Sequence, residues 1–109
     1  MKDAVTPAEL AAMFDNDGAV QVFDVRLVED RVPVTHAVPG ARWRDPNDLS
    51  KWADEIDPNL PVVVFCVHGL RVSQAVRQEL VNRGFEASIV EGGIDAWQDY
   101  VLKIGADDD

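Results

Sequence analysis

Residues 62–74 constrain this chain more than any others. Val62-Val63-Val64-Phe65 is an apolar, β-branched run, and it ends in Cys66, the one cysteine of the sequence. Val67-His68-Gly69-Leu70-Arg71 follow as a short loop, after which Val72, Ala75, Val76 and Leu80 mark one face of a helix. A strand that hands a thiol to a tight turn, with a helix N-terminus beyond, gathers backbone N–H groups and the positive end of a helix dipole around one sulfur atom. Gly69 permits a turn conformation that side chains disfavour. The apolar run is far too short to span a bilayer, so it is expected to be the central strand of a packed sheet.

The rest of the chain supplies the elements such a strand needs. Thr6-Pro7-Ala8-Glu9 predicts a helix start, with Thr6 as N-cap, Pro7 at the first helical position and Glu9 closing a capping box. Leu10, Met13 and Phe14 form its apolar stripe, and Asp15-Asn16-Asp17-Gly18 should end it in a turn. Val20 to Val25 predicts a buried strand that runs into two opposite charges, Asp24 and Arg26. Leu27 to Thr35 shows no period, and Pro33 argues against a helix there. Val38-Pro39-Gly40-Ala41 should turn the chain into a short strand near Arg42-Trp43. Asp45-Pro46-Asn47-Asp48 is a capping signal for a helix with Leu49, Trp52, Ala53 and Ile56 inward, and Asp57-Pro58-Asn59 breaks it. Gly84 is the expected residue just past the helix that follows Arg71. Phe85 to Val90 predicts a strand, Gly92-Gly93 a turn, and Ile94, Trp97 and Val101 the inner face of a last helix. Trp43, Trp52 and Trp97 are all expected in the core. This order implies an α/β fold, a central, mainly parallel sheet flanked by helices.

With 109 residues, no internal repeat and no linker composition, the chain is expected to be one domain over residues 1–109, its core spanning about 6–101, with an acidic tail over 105–109. Twenty acidic side chains against ten basic give a formal net charge of −10. That field disfavours nucleic acid and anionic membrane surfaces as partners, and it repels small anions unless positive groups are placed locally. A single cysteine excludes an internal disulfide and favours a reducing compartment. The start, Met1 to Pro7, lacks the apolar core of a signal peptide; a soluble, cytoplasmic protein is the expectation.

Four marks together resemble the single-domain rhodaneses, a family of sulfurtransferase-type domains. They are Asp24-Val25-Arg26, Val38-Pro39-Gly40-Ala41, the Cys66-Val-His-Gly69-Leu-Arg71 loop (similar to the family's Cys-x-x-Gly-x-Arg), and Glu91-Gly92-Gly93-Ile94-Asp95-Ala96-Trp97. They run in family order from about Thr6 to Tyr100. Two positions depart from the pattern: His36 falls one place early, and Val72 stands where many members have Ser, which removes a hydroxyl near the end of the loop. The resemblance implies a three-layer rhodanese-like fold and transfer of a sulfane sulfur, from a donor such as thiosulfate, through a Cys66 persulfide to cyanide or a thiol.

On that reading Cys66 is the nucleophile, and the N–H groups of Val67, His68, Gly69, Leu70, Arg71 and Val72 are candidates to curl around its sulfur as an anion nest. Arg71, with a planar fork suited to oxyanions, is the candidate donor-binding cation, and His68 a candidate substrate contact. Asp24 and Arg26 are expected to brace the fold and the loop. The implied partners are a small anionic sulfur donor and a protein or small-thiol acceptor. No cofactor is implied; Cys66, His68 and His36 lack a recognised metal-ligand spacing. Two rivals stand beside this reading. One is a relay module that binds a partner and moves or senses sulfur without free turnover. The other is a cysteine-dependent phosphatase or arsenate reductase, whose roomier loop places arginine sixth after the cysteine; here it is fifth, a size better suited to a sulfur atom than to a phosphoryl group.

Overall fold

The computed structural model describes residues 2–15 and 19–107. The expected turn at Asn16–Gly18, and Asp108 and Asp109 of the expected acidic tail, lie outside them. Along the chain come β1 (Ala4–Val5), α1 (Pro7–Asp15), β2 (Gln21–Asp24), β3 (Arg42–Trp43), α2 (Leu49–Trp52), β4 (Val62–Phe65), α3 (Arg71–Asn82), β5 (Ala87–Val90) and α4 (Gly93–Asp107). The sheet order is β1-β5-β4-β2-β3, and every pairing is parallel.

Because side chains alternate across a strand, β4 divides its own residues between two cores. Val62 and Val64 pack with Phe23, Leu49, Trp52, Val76 and Leu80 on the side of α2 and α3. Val63 and Phe65 pack with Val5, Leu10, Val22, Ile94 and Trp97 on the side of α1 and α4. With helices on both faces, β4 has no solvent side, which is why its sequence is apolar without a break. Cys66 leaves this central strand at its C-terminal end, where α/β sheets of this kind place their sites.

The helix signals are realised in detail. Thr6 N–H donates to Glu9 Oε1 at 3.0 Å, and Glu9 N–H to Thr6 Oγ1 at 3.1 Å, so the capping box of α1 is closed. At the end of α3, Phe85 N–H reaches Leu80 O and Gly84 N–H reaches Val81 O, both at 3.0 Å, the paired bonds of a Schellman ending. Asp45 caps through its side chain, which accepts from Asn47 N–H. The stretch behind it is not one helix: a single α-turn, α2, lies between two 3-10 turns, Pro46–Asp48 and Ala53–Glu55. Trp52 Nε1 donates to Asp45 O at 2.8 Å and pins the broken segment down. The unperiodic stretch after β2 holds one 3-10 turn, Val28–Asp30.

Three further differences from expectation have physical reasons. β1 has only two residues, too short for any period; it is a strand because Ile89 N–H donates to Asp3 O and Glu91 N–H to Val5 O. α4 continues through Gly105, Ala106 and Asp107, residues that composition alone assigns to an acidic tail. Trp52 and Trp97 are core, but Trp43 is only half-buried. It lies on the edge strand β3, donates from Nε1 to Arg26 O at 2.9 Å, and carries the Arg31 guanidinium 4.5 Å above its ring. Among the described residues no helix is long and apolar enough to cross a membrane.

Candidate active site

Cys66 is 7% exposed, at the base of the loop that joins β4 to α3. Its Sγ lies 3.2 Å from the hydroxyl of Ser73. Burial pushes the thiol pKa up. The Ser73 hydroxyl and hydrogen bonds from the backbone of Ser73, Leu70 and Gly69 outweigh it, and the thiol ends below its ordinary value. α3 contributes because nothing local competes for its first turn: Leu70, at the N-cap, has no side-chain acceptor to offer. Helix-terminal N–H groups are therefore left for the sulfur.

Ser73 corrects one expectation. Val72 does stand at the position after Arg71, yet the loop end keeps a hydroxyl, because Ser73 is fully buried and turned to the sulfur. The signal was in the helical period. Ser73, Val76 and Leu80 are the buried residues of α3, so a serine occupies a core position at spacing i, i+3, i+7. A polar side chain there needs partners, and Ser73 has two: Cys66 Sγ, and Leu70 O at 3.5 Å. Val72 is only half-buried, against the same core.

The loop is held from behind by the Gly92-Gly93 turn. Ile94 N–H donates to Cys66 O at 2.9 Å, and Asp95 N–H to Val67 O at 3.3 Å. With these carbonyls taken by the first turn of α4, the loop's N–H groups are free to face the other way. Gly69 has φ +72°, and a Cβ there would lie 2.7 Å from Val90 O. Gly93 has φ +66°, and a Cβ there would run into the carbonyl oxygens of Cys66 and Val67. The expected Gly92-Gly93 turn thus lies against the cysteine loop through Gly93, whereas a Cβ on Gly92 would meet Ala96.

The remaining candidates spread around that centre. Arg71, the first residue of α3, is exposed and, among the described residues, has no ion-pair partner. It lines a groove of about 320 Å³ with Leu27, Leu49, Val72 and Val76. Val67 is half-buried and lines a second cavity, of about 300 Å³, together with Arg26, Glu29, Asp30 and Asp95. Leu70 is exposed at the loop tip, and so is His68, whose Nδ1 lies 3.0 Å from Asp95 Oδ2. Asp95 is a further residue that sequence reasoning did not single out.

Asp24 and Arg26 stand one strand away. Asp24 pairs in register with Phe65, and Val25 N–H donates to Phe65 O at 2.9 Å. Arg26 Nη2 lies 2.7 Å from Asp24 Oδ2, Nε 3.0 Å from both carboxylate oxygens, and Nη1 3.1 Å from Val32 O. Every side-chain hydrogen bond of the pair stays within residues 24–32.

The rhodanese-like domain model matches residues 6–100. The chain is 38% identical over 102 residues to a thiosulfate sulfurtransferase GlpE of Glaesserella parasuis serovar 5, covering 92% of this chain and 90% of that one. It is 30% identical to a protein of the same name from Actinobacillus pleuropneumoniae, with the same coverage. Among solved structures, a rhodanese-like domain protein from Staphylococcus aureus superposes with a TM-score of 0.75 at 26% identity, covering 88% of this chain and 91% of that chain. A rhodanese homologue from Thermus thermophilus does so with a TM-score of 0.64 at 32% identity, covering 85% and 98%. A match over nearly the whole chain, and an all-parallel sheet with a cysteine loop leaving its central strand, lead to one conclusion: this chain belongs to the rhodanese-like domain family.

Proposed function

We propose that the chain is a thiosulfate-type sulfurtransferase acting through a persulfide on Cys66. One observation carries the reading: a buried thiol at the base of the loop, its Sγ 3.2 Å from Ser73 Oγ, where that hydroxyl and the backbone of Ser73, Leu70 and Gly69 favour its anion. The Cys66 thiolate attacks the sulfane sulfur of thiosulfate. The donor's S–S bond breaks, sulfite leaves with the electron pair, and the sulfane sulfur stays on Sγ. The donors that favour the thiolate also favour an anionic persulfide, which limits how far the loop must rearrange between steps. Arg71 is the cation at the mouth, and a chain of net charge −10 needs one to admit an anionic donor.

The acceptor is cyanide or a thiol, small or on a protein. Arg71, fifth after Cys66, favours a loop sized for a sulfur atom over one that encircles a phosphate. The test is mass spectrometry after incubation with thiosulfate. The wild type is expected to gain the mass of one sulfur atom and Cys66→Ser to gain nothing. No gain with any sulfane donor would end the proposal.

A further inference from the structure

The sulfur chemistry above leaves one side-chain pair of the loop unused. His68 stands at the loop tip, its side chain 65% exposed, with Nδ1 3.0 Å from Asp95 Oδ2. Asp95 is fixed from behind, since its own N–H donates to Val67 O while the neighbouring Ile94 N–H holds Cys66 O. The backbones that carry the carboxylate, the ring and the sulfur therefore meet at one corner. An ionised carboxylate only accepts hydrogen bonds, so the shared proton is on Nδ1. In the neutral ring this fixes the tautomer and leaves the Nε2 lone pair on the opposite side of an exposed ring, open to solvent.

We propose that His68 Nε2 is the base that takes the proton from an incoming thiol acceptor, with Asp95 as the positioning residue that sets the ring. The proposal rests on the sulfurtransfer reading and specifies its second step: the acceptor is a thiol that arrives protonated. A free thiol has a pKa of about 8.5, so near neutral pH it is mostly R–SH and a poor nucleophile, while an imidazole is matched to that pH as a base. R–SH gives its proton to Nε2. The persulfide takes a proton from solvent to become Cys66–S–SH; the R–S⁻ lone pair attacks its outer sulfur, a new S–S bond forms, and the bond to Sγ breaks with its electron pair left on Cys66. R–S–SH departs with the outer sulfur and its hydrogen, and Nε2 releases the proton to solvent. The product is a persulfide, and the free thiolate returns to the Ser73 hydroxyl.

Asp95 on α4 is the charged group in contact with the ring; Cys66 and Arg71 stand at the two ends of its own loop, and Arg26, Glu29 and Asp30 line the cavity that Asp95 shares with Val67. The experiment loads Cys66 with thiosulfate, removes excess donor, and discharges the persulfide into either 2-mercaptoethanol or sulfite, following its loss by mass. Sulfite in mildly alkaline buffer attacks through a lone pair that carries no proton, so it reports the site without the base. In His68→Gln the ratio of thiol to sulfite discharge should fall about tenfold or more near neutral pH. Asp95→Ala should show part of that loss and Asp95→Glu should restore it. Above the acceptor's own pKa the thiol arrives ionised, and wild type and variants should converge. An unchanged ratio in His68→Gln, or a deficit undiminished at alkaline pH, overturns the proposal alone. A wild type that takes up no sulfur from any sulfane donor overturns the sulfurtransfer reading and this proposal with it.

Discussion

Two neighbouring strands leave the sheet at the same edge, and both bury chemistry there to the same depth. β2 ends in Asp24 and Arg26, 7% and 8% exposed, and β4 ends in Cys66, 7% exposed. What separates them is how completely the buried groups are satisfied. The carboxylate and the guanidinium answer each other through three side-chain hydrogen bonds, and Arg26 spends another on Val32 O. Around Cys66 the Ser73 hydroxyl and the surrounding backbone favour a negative charge, and among the described residues no cation is bonded to the sulfur. A closed pair of this kind holds a fold; a sulfur whose surroundings favour its anion is what the proposed sulfur transfer requires. Burial and polarity do not distinguish a brace from a nucleophile, whereas the balance of donors and acceptors does.

Breaking the brace should have the largest effect on the fold. Asp24→Ala leaves Arg26 charged, buried and unpaired, and removing one partner of such a pair costs about 3–5 kcal/mol. Urea denaturation measures it. The joint replacement Asp24→Leu with Arg26→Met should recover most of that loss, since it removes both charges and keeps the volume. Cys66→Ser, at equal depth, should shift stability by no more than about 1 kcal/mol while abolishing sulfur uptake. If Asp24→Ala were as mild as Cys66→Ser, the contrast between brace and nucleophile would fail.

Gly93→Ala comes next, because it attacks the support under the reactive loop. A left-handed backbone costs a non-glycine residue about 1–2 kcal/mol, and here the new Cβ also meets the carbonyls of Cys66 and Val67. Gly40→Ala is the matched control: its φ is +71°, yet a Cβ there meets nothing within 4 Å. Both variants should lose stability, Gly93→Ala by more. Only Gly93→Ala should slow persulfide loading of Cys66. Equal behaviour of the two would mean that contact with the loop is irrelevant to its reactivity.

Much of this contrast was legible in the sequence, and the illegible part has a common cause. A β-branched run ending in cysteine marks the central strand, since β-branched residues prefer strands and an all-apolar run requires two covered faces. Capping residues set helix starts through local hydrogen bonds, so Thr6, Glu9 and Asp45 could be placed from sequence alone. Asp95 and Gly93 could not. Their partners, His68 and the Cys66 carbonyl, are about 27 residues away in the chain, and no local period encodes which helix N-terminus will abut which loop. Trp43 misled for a related reason: a large aromatic suggests core, but an edge strand gives it only one covered side. Ser73 is the intermediate case. Its place in the buried face of α3 was readable, but its partner became clear only when the strand and the helix were set side by side.

Ser73→Ala tests that intermediate case and should act on the sulfur more than on the fold. It removes a hydroxyl that favours the thiolate, so the Cys66 pKa should rise. The alkylation profile of Cys66 with iodoacetamide should then move to higher pH, and the stability cost should stay near about 1 kcal/mol. The sign extends to stability. A folded thiol with a lowered pKa binds fewer protons than the unfolded chain between the two pKa values, so the wild type gains stability as pH rises through that window and loses it as pH falls. Ser73→Ala should show a smaller gain. An unmoved alkylation profile would show that the backbone N–H groups hold the anion without the hydroxyl.

The smallest effect on the fold should come from the second arginine of the comparison. Arg26 is buried and fully engaged; Arg71 is exposed at the start of α3 with no ion-pair partner among the described residues. Removing an exposed side chain without a partner shifts stability by no more than about 0.5 kcal/mol. If Arg71 receives the anionic donor, its cost falls on binding instead. A lost charge-assisted hydrogen bond at a partly open site corresponds to about a tenfold rise in KM for thiosulfate. Added salt should raise KM for the wild type and matter less for Arg71→Ala, because the screened attraction is already gone. Arg71→Lys should fall between them, keeping the charge but losing the planar fork that grips two oxygens. An Arg71→Ala protein with unchanged KM and unchanged salt response would remove Arg71 from the donor's path, and the positive end of α3 would then be the main attraction that draws an anion to Cys66.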